Sequence, residues 1–348
     1  EGTVLDNGLL RVEVDGDGLL ASVYDHRFDR EVLAPGQRGN LVQVHPDHPN
    51  HWDAWDLDRH YLRRCTDLDT AGSVELVDDG PLLARVRVRR AFGRSQLSQT
   101  YTLAAGTASV DIDTDVDWHE SEKVLKARFP LDAHADRSSA EIQFGHVQRP
   151  THTNTSWDHA RFEICAHRWL HVGETGYGVA VANDSTYGHD VSREPRDGGG
   201  TTTAVRLTLL RAPHSPDPRT DQGRHRFRYA LVPGAGIREA VDAGYRLNLP
   251  LRVLPGAPPG APVAEVDHPA VRVEAVKLAE DRSGEVVVRL YESEGGRARA
   301  TVRPGFNCTG ASVVDLLERP LHDADLAHGQ VRLTLRPFEI VTLRLARG

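Results

Sequence analysis

Methionine is absent from the sequence, position 1 included, so the chain is expected to be a piece of a longer protein. Cysteine is scarce: the three, at positions 65, 165 and 308, are far apart and lack C-x-x-C spacing. That excludes a disulfide framework and a thiolate zinc site, and leaves buried free thiols as the ordinary reading. Lysine occurs only at 123, 126 and 277, so nearly all positive charge is arginine. No apolar run approaches the roughly 20 residues of a membrane-spanning helix, and the first residues carry no signal-peptide pattern. A soluble, cytoplasmic protein is expected. With no basic patch and a net charge of −8, neither nucleic acid nor an anionic membrane is expected as a partner. No unit recurs at a fixed period, which excludes a solenoid or propeller.

What is present reads as antiparallel β structure. Leu9 to Val14 and Leu19 to Tyr24 flank the turn residues Asp15-Gly16-Asp17-Gly18, a hairpin signal. From Leu83 to Thr102 arginine alternates with valine, as in a strand with one wet face. Val110 to Trp118 alternates as strictly and puts four aspartates on one face. A calcium site is conceivable there, but cross-strand pairing with the arginine-rich neighbour accounts for the same residues. Helical periodicity is confined to Ile237 to Leu247. The proline-rich stretch Leu254 to Pro269 shows no regular period and marks a boundary. The expected organisation is all-β, with a large antiparallel domain over 1–254, a linker over 255–269 and a small sandwich over 270–348. Strands of the latter are expected at Ala270 to Leu278, Val286 to Tyr291, Ala298 to Val302, Ala311 to Leu317, Val331 to Leu335 and Glu339 to Leu345.

Three polar clusters stand out because no core requires them. PDHPNHWDAWDLDRHY brings Trp52, Asp53, Trp55 and Asp56 together, and GHVQRPTHTNTSWDHARFE brings Arg149, Trp157 and Asp158. APHSPDPRTDQGRHRF presents Asp221, Arg224 and His225. Aromatic faces beside carboxylates and forked cations suit a sugar, which offers C–H faces to rings and hydroxyls to polar groups. At least two of the three clusters are expected to converge on one face of the larger domain. The first is equally compatible with a surface loop pinned by its two tryptophans, the last with a stapled loop. His146, His152, His159, His167 and His171 invite a zinc reading, but no pair has the helical i, i+4 context of a zincin.

The motifs HWDAWDLDRHY, VDWHESEKVLKARFP, EIQFGHVQRPTHTNTSWDHARFE, GYGVAVANDSTYG, LTLLRAPHSPDPRTDQGRHRFRYAL and VVVRLYESEGG, in that order, resemble the C-terminal region of glycoside hydrolase family 38, the α-mannosidases. The resemblance implies a large super-β-sandwich of the galactose mutarotase type followed by a smaller sandwich. It also implies a parent enzyme that hydrolyses terminal α-mannosides with retention, using zinc and two aspartates carried on an N-terminal barrel and helical bundle. No segment here resembles those parts, so no catalytic residue and no zinc ligand is expected in this chain, and the fragment alone is expected to be inactive. The three clusters become candidates for lining the sugar pocket. A stand-alone carbohydrate-binding module and an aldose mutarotase-like enzyme are the alternatives.

Overall fold

The alternation of Val110–Trp118 becomes a strand with Val110, Ile112, Thr114, Val116 and Trp118 buried and the four aspartates turned outward. The structure, a computed structural model, describes residues 2–256 and 260–348. Among these the chain is all-β, with α-helices only at Ser156–Ala160 and Ile237–Asn248. It divides into two compact units, Glu1–Glu141 with Gln148–Leu249, and Ile142–Val147 with Pro250–Gly348.

The first unit is a sandwich of antiparallel sheets. One sheet has nine strands in the order Gly145–Pro150, Arg137–Ile142, Trp169–Glu174, Tyr177–Asn183, Gly223–Pro233, Val110–Trp118, Ser95–Ala104, Leu83–Phe92 and Ser73–Asp79. The other has six, ordered Ile164–Cys165, Gly188–Pro195, Thr201–Arg211, Lys123–Leu131, Leu41–Pro46 and Thr66–Asp67. A four-stranded sheet over Thr3–Asp6 to Arg30–Glu31 contains the expected Leu9 to Tyr24 hairpin. All three share one core, in which Leu10, Val12, Leu125, Phe129, Leu207 and Leu231 are sealed from solvent. A satisfied polar knot sits inside it. Asn40 Nδ2 donates to the Tyr101 hydroxyl (2.8 Å), and the Tyr229 hydroxyl donates to Asn40 Oδ1 (2.8 Å), as buried polar groups require. The helix Ile237–Asn248 packs Ala240, Val241 and Leu247 on the other side of the nine-stranded sheet, against Trp169, Ala180 and Ala230.

The second unit packs a four-stranded sheet on a five-stranded one around Val288, Leu290, Val302, Val331 and Leu343.

Three expectations need correction. The aspartate strand lies beside Ser95–Ala104 and Gly223–Pro233, so Asp113, Asp115 and Asp117 face Arg228, Arg226 and Arg224; the Leu83–Phe92 arginines are one strand further away. The tight turn at Gly93 folds Ser95–Ala104 back between them. Within 255–269, Ala264–Val266 forms a strand paired with Val302–Pro304, its alternation too short to read among the prolines; Pro258 and Pro259 lie outside the described residues. Finally, the strand expected at Ala311 to Leu317 runs Cys308–Val314, with Leu316 and Leu317 exposed in the turn that follows.

Candidate functional site

The outward face of the six-stranded sheet carries charge where its pattern is otherwise apolar. Lys123–Leu131 directs Leu125, Ala127 and Phe129 into the core, and period 2 forces Lys126 and Arg128 to the opposite face. Gln43, Asp190, Glu194 and Arg206 join them from neighbouring strands. Two long loops then cover this layer, and Lys126 becomes wholly inaccessible.

A lysine there requires partners. Its Nζ donates to Asp190 Oδ2 (2.7 Å) and to Glu163, and lies 5.1 Å from the ring centre of Tyr61. Tyr61, from the 3-10 turn Arg59–Arg63, donates its hydroxyl to the same Glu163. Arg206 donates to Asp190 Oδ1 (2.6 Å) and to Gln43 Oε1 (3.1 Å). Burial alone pushes the Asp190 carboxyl up, but the charges of Lys126 and Arg206 outweigh it and hold the group below its ordinary range. Burial raises Glu163 and Tyr61, and lowers His45, to which the charge of Lys126 contributes. Of the expected buried thiols only Cys308 is buried, Cys65 and Cys165 being exposed; desolvation of its sulfur and the neighbouring Asp67 push the Cys65 thiol up to about 12.

Above this layer the loops enclose a cleft of about 410 Å³, lined among others by Arg59, His152, Asp158, Arg161, Asp190 and Arg193. Arg59 lies against His159, joining the loop that carries Trp52 and Trp55 to the one that carries Trp157. The first loop is held by Arg211, which donates to the Asp53 carbonyl (2.7 Å) and the Ala54 carbonyl (3.1 Å) and pairs with Asp47. The Asp53 carboxylate accepts from the backbone N–H groups of His214 and Ser215, both at 2.8 Å. Asp56 accepts from Leu57 N, and Asp158 closes the helix start, accepting from Thr155 Oγ1 (2.7 Å). These aspartates build the loops. The tryptophans do not pin them: Trp52, Trp55 and Trp157 are 67%, 80% and 74% exposed. Trp52 and Trp55 stack at 6.0 Å, and Trp52 sits at φ 58°, a strained backbone for an aromatic residue.

Of the ten candidate residues only Asp158 lines the cleft, and the loops that carry the first two clusters meet through Arg59 and His159. Asp221, Arg224 and His225 are not part of that lining: His225 Nε2 meets the Asp221 carbonyl at 2.7 Å, and Arg224 stands opposite Asp117 on the nine-stranded sheet. Arg149 keeps one guanidinium nitrogen buried without a partner, and burial lowers its pKa. Sequence reasoning overlooked Lys126, Glu163, Asp190 and Arg206. The available signal was Lys126 itself, one of three lysines and placed in an apolar strand. Among the described residues no group of three or more His, Cys, Asp or Glu side chains could hold a metal ion, so the residues present do not fit a zinc site.

His189 lies beside Asp190 but points into the core, its Nε2 unpartnered, and burial lowers it to about 4 from 6.5. The unfolded chain therefore binds the proton first. The folded state keeps its full stability above about pH 6.5 and loses roughly 3 kcal/mol as the pH falls from there to about 4. Urea unfolding of His189→Gln is expected to show a smaller loss between pH 7 and pH 5 than the wild type shows.

A large antiparallel sandwich with aromatic loops over a charged layer, followed in sequence by a small sandwich, defines the class as a two-sandwich β protein. The family model for the glycosyl hydrolases family 38 C-terminal domain matches residues 5–219, and that for the family's C-terminal beta sandwich domain matches 270–343. The chain belongs to glycoside hydrolase family 38, as part of its C-terminal region. It is 39% identical to human alpha-mannosidase 2C1 over 99% of this chain and 34% of that one. To alpha-mannosidase G of Dictyostelium discoideum it is 32% identical, over 98% and 32%. The fold matches the crystal structure of an alpha-mannosidase from Enterococcus faecalis V583 with a TM-score of 0.75 at 16% identity, covering 99% of this chain and 42% of that one. The chain thus spans about a third of the length of the curated relatives it matches. Among the described residues no helix is long and apolar enough to cross a membrane.

Proposed function

We propose that this chain is the C-terminal β region of a zinc-dependent retaining α-mannosidase that hydrolyses terminal α-mannosides of oligosaccharides. In this reading the metal ligands and both catalytic carboxylates belong to an N-terminal barrel and helical domain outside this chain. The present residues support that barrel and shape the sugar pocket. Family membership supports the reading, and three cysteines without disulfides are in keeping with a cytoplasmic location.

The observation that carries the pocket role is the exposure of Trp52, Trp55 and Trp157 on loops anchored by Arg211, Asp53 and Asp158. Keeping large aromatic faces ordered in water is unfavourable unless something covers them, and a pyranose C–H face is suited to do so. Arg59, Arg161 and Arg193 line the cleft under these loops, where a guanidinium can donate to hydroxyls. In the parent enzyme, Trp52→Ala and Trp157→Ala are expected to raise KM about tenfold for an oligosaccharide with little change in kcat, a loss of binding of the order of 1.4 kcal/mol. Both rings are exposed, so Tm is expected to stay the same. Unchanged KM in both variants would remove these loops from the pocket.

A further inference from the structure

The helix Ile237–Asn248 leaves part of the nine-stranded sheet uncovered. On that open face Leu83–Phe92 presents Arg85, Arg87 and Arg89, and its neighbour presents Thr102, Thr100 and Ser98 opposite them. Next come Asp111, Asp113 and Asp115, and then Arg226 opposite Asp115. These rows line an open trough of about 650 Å³. A second depression of about 350 Å³ continues it, sharing Arg89, Ser98 and Asp115 and reaching Asp117, Arg224 and His225. None of these residues lines the loop cleft.

On an ordinary solvated sheet face, opposite charges neutralise one another across strands. The margins of this trough do so: Arg89 pairs with Glu75 (2.7 Å), Arg85 with Asp78 (3.3 Å), and Arg246 with Asp111 (2.8 Å). Arg226 also reaches Asp113 (3.4 Å), but the rest of the middle is unpaired. Among the described residues, Arg87, Asp115 and the hydroxyls of Ser98, Thr100 and Thr102 have neither a hydrogen bond nor an ion pair. Five adjacent groups able to donate or accept are thus left to solvent in a concave site.

We propose that this trough binds a neutral polyhydroxylated chain, an oligosaccharide several sugars long, lying along the row Ser98–Thr100–Thr102 between Arg87 and Asp115. The occupant follows from the lining. Arg85, Arg87, Arg89 and Arg226 stand against Asp111, Asp113 and Asp115, so the net field is too small to gather a polyanion or polycation. No apolar side chain lines the larger depression, which offers nothing to a hydrophobic peptide or helix. The strands are paired on both edges, so an added strand has no backbone to join. Hydroxyl pairs on a sugar match what remains: an arginine fork donates to their oxygens and a carboxylate accepts their protons. Side chains on one strand face repeat every ~6.8 Å, so successive rows meet successive units of an extended chain.

The test is titration of the protein with a linear α-mannopentaose, followed by amide chemical shifts and calorimetry. Binding with a Kd of about 1 mM or tighter is expected, with shifts centred on Arg87, Ser98, Thr100 and Asp115. The double variant Arg87→Ala/Asp115→Ala is expected to weaken it at least about tenfold. Because both side chains lack partners in the fold, Tm is expected to hold; Thr100→Val, which exchanges hydroxyl for methyl, provides a second, gentler loss. Leu316→Ala, exposed in the second unit and outside both sites, is expected to bind as the wild type does. No binding at about 20 mM, more than an order of magnitude above the expected Kd, would overturn the proposal. So would binding of a sulfated tetrasaccharide alone, or binding abolished by Trp157→Ala and untouched by the double variant. The pocket role proposed above is read from KM in the parent enzyme, so either proposal can fail without the other.

Discussion

Purified residues 1–348 are expected to release no aryl alcohol from an aryl α-mannoside above the buffer rate, with or without chelator, and to carry no stoichiometric zinc. The parent enzyme is expected to turn over the same substrate in a chelator-sensitive way. The reason is chemical. Retaining hydrolysis needs two carboxylates about 5–5.5 Å apart, one to attack and one to carry the proton. In the loop cleft Asp158 is engaged with Thr155 and Asp190 is clamped between Lys126 and Arg206. Neither is free to attack. A pocket that only positions a sugar cannot replace charge stabilisation at the reacting carbon, and the shortfall is expected to be at least about a millionfold. Elemental analysis and aryl alcohol release measure the two halves of the expectation. Chelator-sensitive turnover by the chain itself would return catalysis to these residues, with the histidines between His146 and His171 the first to examine.

Lys126→Met is expected to cost about 3–5 kcal/mol of unfolding free energy, the loss typical when one partner of a buried ion pair is removed. The ammonium is fully buried and holds Asp190 and Glu163. Without it two carboxylates remain under the loops, with Arg206 left to compensate Asp190. The penalty is therefore uncompensated charge, and Lys126→Met/Glu163→Gln is expected to recover part of it. Urea midpoints of the two variants give the answer. A single variant within about 0.5 kcal/mol of wild type, the range of ordinary surface changes, would show that the charged layer does not hold the loops in place.

Much of the fold was legible because strand periodicity is a local property. Val110–Trp118 and Ile237–Asn248 each declare which side is apolar within ten or twelve residues. Short strands escaped the same reading. Ala264–Val266 is three residues long and flanked by prolines, so its identity depends on pairing with Val302–Pro304, far away in sequence. The candidate site divides along the same line. Tryptophans beside aspartates at 52–56 and 157–158 were conspicuous as composition, but composition could not say that Asp53 and Asp158 brace backbone while the rings stand in solvent.

The sequence by itself determined the all-β class, the wet and dry faces of each long strand, and the family to which the ordered motifs point. Each of these follows from residues within a few positions of one another. Which strands became neighbours was decided only by the tertiary structure. Folding put a threonine and serine row between the arginines of Leu83–Phe92 and the aspartates of Val110–Trp118, and so left an open trough in place of an ion-paired ladder. It also buried Lys126 beneath loops from positions 47–66 and 151–163. A lysine's position on a strand fixes the face it takes, but its environment depends on what later covers that face, which is set by chain segments tens of residues away.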